Sequence, residues 1–92
     1  MTAIWEEINW DEAFDEALDH FKTLIRFKTV NPPGNEKPAA EYLAEVFSKE
    51  GLEPEVLDSA DNRANVVCRL RGNGDKPPIL LNGHLDVVPV EM

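Results

Sequence analysis

Basic charge, cysteine and long apolar runs are all scarce in this sequence, and each scarcity closes a class of function. Nine Lys and Arg stand against 18 Asp and Glu, a formal charge of −9. Nucleic-acid affinity rests on neutralising phosphates with cations, and an anionic membrane surface demands the same, so neither partner fits. The acidic excess reads as a solvated face. Cys68 is the only cysteine, so no internal disulfide can form. No apolar stretch approaches the roughly 20 residues that span a bilayer. The acidic N-terminus, MTAIWEEINWDEAFDE, resembles neither a secretory signal nor an Arg-rich transit peptide. Cytoplasmic residence is the resulting expectation. There is no internal repeat, and Gly72-Asn73-Gly74 lacks the following Gly-Lys-Ser/Thr of a phosphate loop, so it reads as a hairpin turn.

At 92 residues the chain is at most one domain, and folding alone it would bury roughly 60–65% of its unfolded surface, a thin margin. Phe14, Leu18, Phe21 and Ile25, with Ala17 and Leu24 beside them, form the stripe of an amphipathic helix. Asp11 is its expected N-cap. Acids in the early turns and Lys22, Arg26 and Lys28 in the late ones suit the helix dipole. The helix should stop near Val30, because Asn31 precedes a proline and is pushed out of the α region. Asn31-Pro32-Pro33-Gly34 is then a rigid connector. Asn35 is placed to cap a second helix, with Pro38 in its first turn. That helix should bury Ala39, Leu43, Val46 and Phe47 and close at Gly51.

Three strands are expected after it. Residues 53–58 are short and partly charged, an edge. Residues 65–71 alternate, placing Val66, Cys68 and Leu70 on one face and making Cys68 a buried, reduced thiol rather than a catalytic one, since nothing nearby lowers its pKa. Residues 79–82 are apolar without alternation, as in a central strand covered on both faces. The expected fold is α/β in the order α-α-β-β-β, with the last strand aimed at Gly83-His84, the end at which open α/β sheets place their ligands.

Chemistry concentrates in His84 and Asp86. A neutral imidazole ligates zinc through one nitrogen, and a carboxylate accepting from the other ring N–H fixes its tautomer and raises its basicity. A lone H-x-D also arises by chance, and a histidine at a strand end is often only a turn residue; the position after an apolar strand is what favours ligation. His20, between Asp19 and Phe21 with Glu16 on the preceding turn, reads as structural.

The segments LIRFKTVNPPGNE (24–36), AAEYLAEVFSKEGLE (39–53), NRANVVCRLRG (62–72) and PPILLNGHLDVVP (77–89) together resemble, in order, the N-terminal part of the zinc aminoacylase/carboxypeptidase family. Acetylornithine deacetylase, succinyl-diaminopimelate desuccinylase and glutamate carboxypeptidase are among its members. The resemblance implies that the chain is the front part of a larger three-layer α/β/α zinc-hydrolase catalytic domain. It implies that His84 is the first metal ligand and that Asp86 is the catalytic-site carboxylate orienting it. It further implies two divalent ions, zinc or cobalt, acting on the amide bond of N-acyl amino acids or small peptides, and a complete enzyme compatible with a homodimer.

The family's bridging aspartate, glutamate pair, further carboxylate and last histidine cannot be placed in this sequence, nor can its lid or dimerisation domain. A catalytic zinc needs about three protein ligands, so the 92-residue chain is expected to be an incomplete portion, inactive alone. It should also self-associate through an unpaired apolar edge. A small non-catalytic interaction module using that edge, or one half of a complementing two-chain enzyme, are the competing readings.

Overall fold

The computed structural model describes residues 6–90. Two helices, α1 (Trp10–Arg26) and α2 (Lys37–Lys49), precede two strands, β1 (Glu55–Ala60) and β2 (Arg63–Val67). The architecture is α/β with one antiparallel two-stranded sheet.

The first helix starts earlier and ends earlier than the sequence pattern indicates. Asn9, not Asp11, caps it: the Asn9 side chain accepts the Glu12 N–H at 3.1 Å, satisfying one orphan donor of the first turn. The helix stops at Arg26 rather than near Val30. Beyond it the backbone of Thr29 and Asn31 is committed elsewhere: the Val87 N–H donates to Thr29 O at 3.0 Å, and the Asn31 N–H to Val87 O at 2.9 Å. A backbone group engaged in this bridge cannot also serve a helix. The amphipathic stripe is present, yet no α1 residue is buried. Phe14, Phe21 and Ile25 are 66%, 59% and 65% exposed.

The second helix has Pro38 in its first turn, as expected. Asn35 does not cap it; it sits in the left-handed region at φ 52, and Glu36 holds the cap position without a side-chain cap bond. The first-turn N–H of Lys37 instead reaches Asn62 O at 3.2 Å, so the hairpin turn supplies the partner that a capping side chain would have given. At the other end Gly51 takes φ 83. Its N–H donates to Ser48 O at 3.0 Å and the Leu52 N–H donates to Phe47 O at 3.1 Å, the paired bonds of a Schellman stop.

Strands β1 and β2 pair in a register of Glu55 with Val67 through Ala60 with Arg63, irregular between Asp58 and Ala60. Asp61 and Asn62 make the turn, Asn62 at φ 54, where an asparagine tolerates the left-handed region. The second strand therefore begins at Arg63 and stops at Val67, ahead of the expected 65–71. The expected shared face of Val66, Cys68 and Leu70 does not form: Cys68 lies past the strand's end and is half-buried, and Leu70 is 82% exposed.

The buried apolar residues are Ala39, Ala40 and Ala64. Helix α2 thus lies against the hairpin through side chains small enough for the backbones to approach, and Leu43, Val46 and Phe47 are only half-buried around them. The accessible surface is 8346 Å², against about 5,400 Å² for a compact protein of this mass. The radius of gyration is 16.0 Å, against about 12 Å for a compact domain of this length.

The third strand and the three-layer architecture do not form among the described residues. Residues 79–82 form no strand and are unpaired, and Ile79, Leu80 and Leu81 are 84%, 87% and 85% exposed. A central strand is held by ladder bonds to a neighbour on each edge, and here neither edge of the hairpin lies alongside. Without a third strand, Gly72-Asn73-Gly74 is no hairpin turn. It is a local turn in which Asn73 Oδ1 accepts the Asp75 N–H at 3.0 Å, a side chain mimicking a backbone turn. Among the described residues no helix is long and apolar enough to cross a membrane.

Candidate functional site

The chain returns past the hairpin to meet the α1–α2 connector, and this meeting assembles the site. Val30 and Val87 form an isolated parallel bridge, and Thr29, 4% exposed, donates its hydroxyl to Leu85 O at 2.9 Å. Residues 85–87 are therefore fixed although the run before them is not. Asn31, His84, Asp86, Val87 and Val88 line an open depression of about 340 Å³.

His84 Nδ1 lies 2.8 Å from Asp86 O and 3.1 Å from Asp86 Oδ1. A carbonyl and a carboxylate only accept, so Nδ1 carries the proton and donates to both. In the neutral ring that leaves the lone pair on Nε2. The imidazole is 83% exposed, whereas the Asp86 side chain is 30% exposed. The carboxylate is thus set into the depression and the ring stands over it.

The other Asp86 oxygen is also engaged. Asn31 Nδ2 donates to Asp86 Oδ2 at 2.9 Å, and an Arg63 guanidinium nitrogen lies 3.8 Å from the same oxygen. The Asn31 hydrogen bond is the main cause holding the Asp86 carboxyl below the usual carboxylate range; partial burial opposes it, and the His84 contact adds to it. Arg63 is itself aimed by Glu36, whose Oε1 accepts from Arg63 Nε at 3.0 Å and whose side chain is 11% exposed. Gly34 makes this pairing fit. It sits at φ +97, and a Cβ there would stand 2.6 Å from Glu36 Oε2 and 2.7 Å from Arg63 Nε.

Sequence reasoning singled out His84 and Asp86, and the structure brings them together. It missed Asn31, Arg63 and Thr29, because each reaches the site across tens of residues of chain and no local spacing reports such contacts. The expectation for His20 omitted a partner: besides Glu16, its Nδ1 is hydrogen-bonded to the Tyr42 hydroxyl. Among the described residues no group of three His, Cys, Asp or Glu side chains is placed to hold a metal ion. His84 and Asp86 fit one corner of such a centre, a free ring nitrogen backed by an orienting carboxylate, and not a whole one.

The chain is homologous to a segment of a hydrolase family that contains desuccinylases and a deformylase, in accord with the resemblance carried by its motifs. It is 39% identical over 75 residues to the succinyl-diaminopimelate desuccinylase of Rickettsia canadensis, covering 78% of this chain and 19% of that protein. It is 34% identical over 73 residues to a probable succinyl-diaminopimelate desuccinylase of Staphylococcus aureus, covering 79% and 17%. The N-formyl-4-amino-5-aminomethyl-2-methylpyrimidine deformylase of Halalkalibacterium halodurans is 32% identical over 84 residues, covering 88% and 20%. The chain spans about a fifth of the length of the curated relatives it matches. No family model matches it, and no solved structure does.

Proposed function

We propose that this chain carries the first-ligand corner of a metal-dependent hydrolase that removes acyl groups from N-acyl amino acids or small peptides. The observation that carries the reading is the hydrogen bonding of His84: with Nδ1 donating to Asp86, the ring offers Nε2 as a donor atom to a cation. His84 would hold the ion, zinc or cobalt, and Asp86 would fix the ring and so support catalysis. When two such ions are bound, they supply Lewis acidity that activates water and polarises the amide carbonyl. The names of the relatives, desuccinylase and deformylase, support an acyl-amide substrate.

One imidazole is too few ligands for tight metal retention, so the 92-residue chain by itself should be inactive. The test is titration of the purified chain with zinc and with cobalt, alongside assay on N-acyl amino acids. Weak, substoichiometric binding that disappears in His84→Ala, with no hydrolysis, is the expected result. Binding unaffected by His84→Ala would overturn the assignment of this ligand. Hydrolysis by the 92-residue chain alone would overturn its being an incomplete portion.

A second reading is favoured by a different observation, the exposure of Ile79, Leu80 and Leu81 beside the uncovered Phe14, Phe21 and Ile25. As an interaction module, or as one half of a two-chain enzyme, the chain would cover these surfaces with a partner or with a second copy. Sedimentation over a range of concentrations separates the cases: self-association lost in Leu80→Lys supports a second copy, and a monomer throughout counts against it.

A further inference from the structure

Asp86 has two oxygens and His84 needs one of them. We infer that Asn31 is a positioning residue of this site: by taking Asp86 Oδ2 it turns Oδ1 toward His84 Nδ1, and so reinforces, beside the Asp86 carbonyl, the imidazole tautomer that leaves Nε2 free. The inference rests on the proposed metal reading for its catalytic meaning, but the tautomer it predicts is a property of the chain alone.

Three observations support it. The Asn31 amide N–H meets Oδ2 at 2.9 Å, within the range of a strong charge-assisted bond, whereas the Arg63 guanidinium stands off at 3.8 Å. Among the described residues both acceptors at Nδ1 belong to Asp86, its carbonyl and its Oδ1, so the orientation of this one residue sets the proton. Asn31 is anchored by its own backbone, its N–H donating to Val87 O at 2.9 Å, so the donor cannot drift away from the carboxylate it serves. The same residue therefore fixes the main chain of the ligand-bearing segment and the side chain within it.

The two jobs are separable by mutation. Asn31→Asp keeps shape and backbone but replaces the donor with a repelling carboxylate, and Asn31→Ala removes the side chain. Thr29→Val deletes the hydroxyl bond to Leu85 O, which docks the same segment without touching the carboxylate. The measurement is the pair of imidazole ¹⁵N resonances of His84 in the labelled 92-residue chain, at a pH where the ring is neutral. The wild type should show a protonated Nδ1 and an unprotonated Nε2. In both Asn31 variants the ratio of tautomers should shift away from Nδ1–H by a few-fold, less than the full worth of a hydrogen bond to a charged group, because the Asp86 carbonyl still accepts from Nδ1. In Thr29→Val it should not move. Amide resonances of α2 and the hairpin, recorded in the same samples, show that the fold is kept, as expected for an exposed side chain at residue 31.

An unchanged tautomer in both Asn31 variants would overturn the inference, and so would an equal shift in Thr29→Val, which would make segment docking the cause. Addition of zinc tests the function separately. If the wild-type tautomer is as described but zinc leaves the Nε2 resonance unmoved, the metal reading fails and the positioning role of Asn31 stands.

Discussion

The α2–hairpin unit closes on itself through Ala39, Ala40 and Ala64, whereas the segment carrying His84 is tied to the rest through Thr29, Asn31 and Val87. In the first region the helix stop, the turn and the ladder are all made by neighbours in sequence, and packing needs only small side chains. In the second, an apolar run as strand-like as any in the chain stays unpaired, and contact with the rest of the fold is made at Leu85 to Val87, where the connector reaches it. The difference shows what a strand pattern can and cannot do. Local rules can form a hairpin, because both strands are supplied together; a central strand is formed by its neighbours.

Four changes test this contrast, in decreasing order of effect. Ala40→Leu forces a large side chain between α2 and the sheet, where Ala40 is 0% exposed, and should cost about 1–3 kcal/mol of stability through overpacking. Urea unfolding followed by circular dichroism measures it, and an unmoved midpoint would mean that the alanine contact is not the organising core. Gly34→Ala meets a positive φ that costs an L-residue about 1–2 kcal/mol, and its Cβ displaces the Glu36–Arg63 pair. Its amide-exchange signature should be faster exchange at Val87 with α2 little changed; uniform acceleration would show that the two regions are one cooperative unit.

The third change is pH, and the two regions should respond at opposite ends of the scale. The folded-state pKa of Asp86 is depressed, chiefly by Asn31. Its contribution is therefore complete above the unfolded value and is lost as pH falls through the folded one, so acid should loosen residues 85–87. Lys37 is raised, first by its hydrogen bond to Asp58 and then by the charge of the same carboxylate; the pair lies 3.0 Å apart. Its contribution is complete below the unfolded value and is lost as pH rises through the folded one. Alkali should thus weaken the tie between α2 and β1. Amide exchange at Val87 and at Val56, followed across pH, reads each separately, and a common profile would contradict the division.

The smallest effect on stability is expected from Leu80→Lys. At 87% exposure this surface change should stay within about 0.5 kcal/mol, even if it alters self-association. A larger loss would mean that the 79–81 run is packed in solution.

Much of the two helices was legible from short-range signals. Phe14 through Ile25 marked a helix, Pro38 its successor's first turn, and Gly51 the stop. The boundaries shifted where a competing partner was nearer: Asn9 took the place of Asp11 as cap, and the Val87 bridge claimed the residues expected to extend α1. Exposure was not legible, because a hydrophobic stripe states what a helix is prepared to bury and not whether the covering element is present. In the candidate site, a spacing of two residues made contact between His84 and Asp86 possible, but the Asn31 contact spans 55 positions. Nor could the sequence show that one arginine, at the start of β2, would be shared by Glu36 and Asp86.

That shared arginine makes the hairpin a remote gauge of the site. Arg63 is the first residue of β2 and pairs with Ala60 across the turn, so its backbone is held while its side chain leans toward the carboxylate. Should a cation bind at His84 as proposed, the charge that Arg63 faces across 3.8 Å would change at a hydrogen-bonded strand end rather than in a loop. Amide frequencies at Asn62 and Arg63 would then register events at His84 without any label placed in the depression itself.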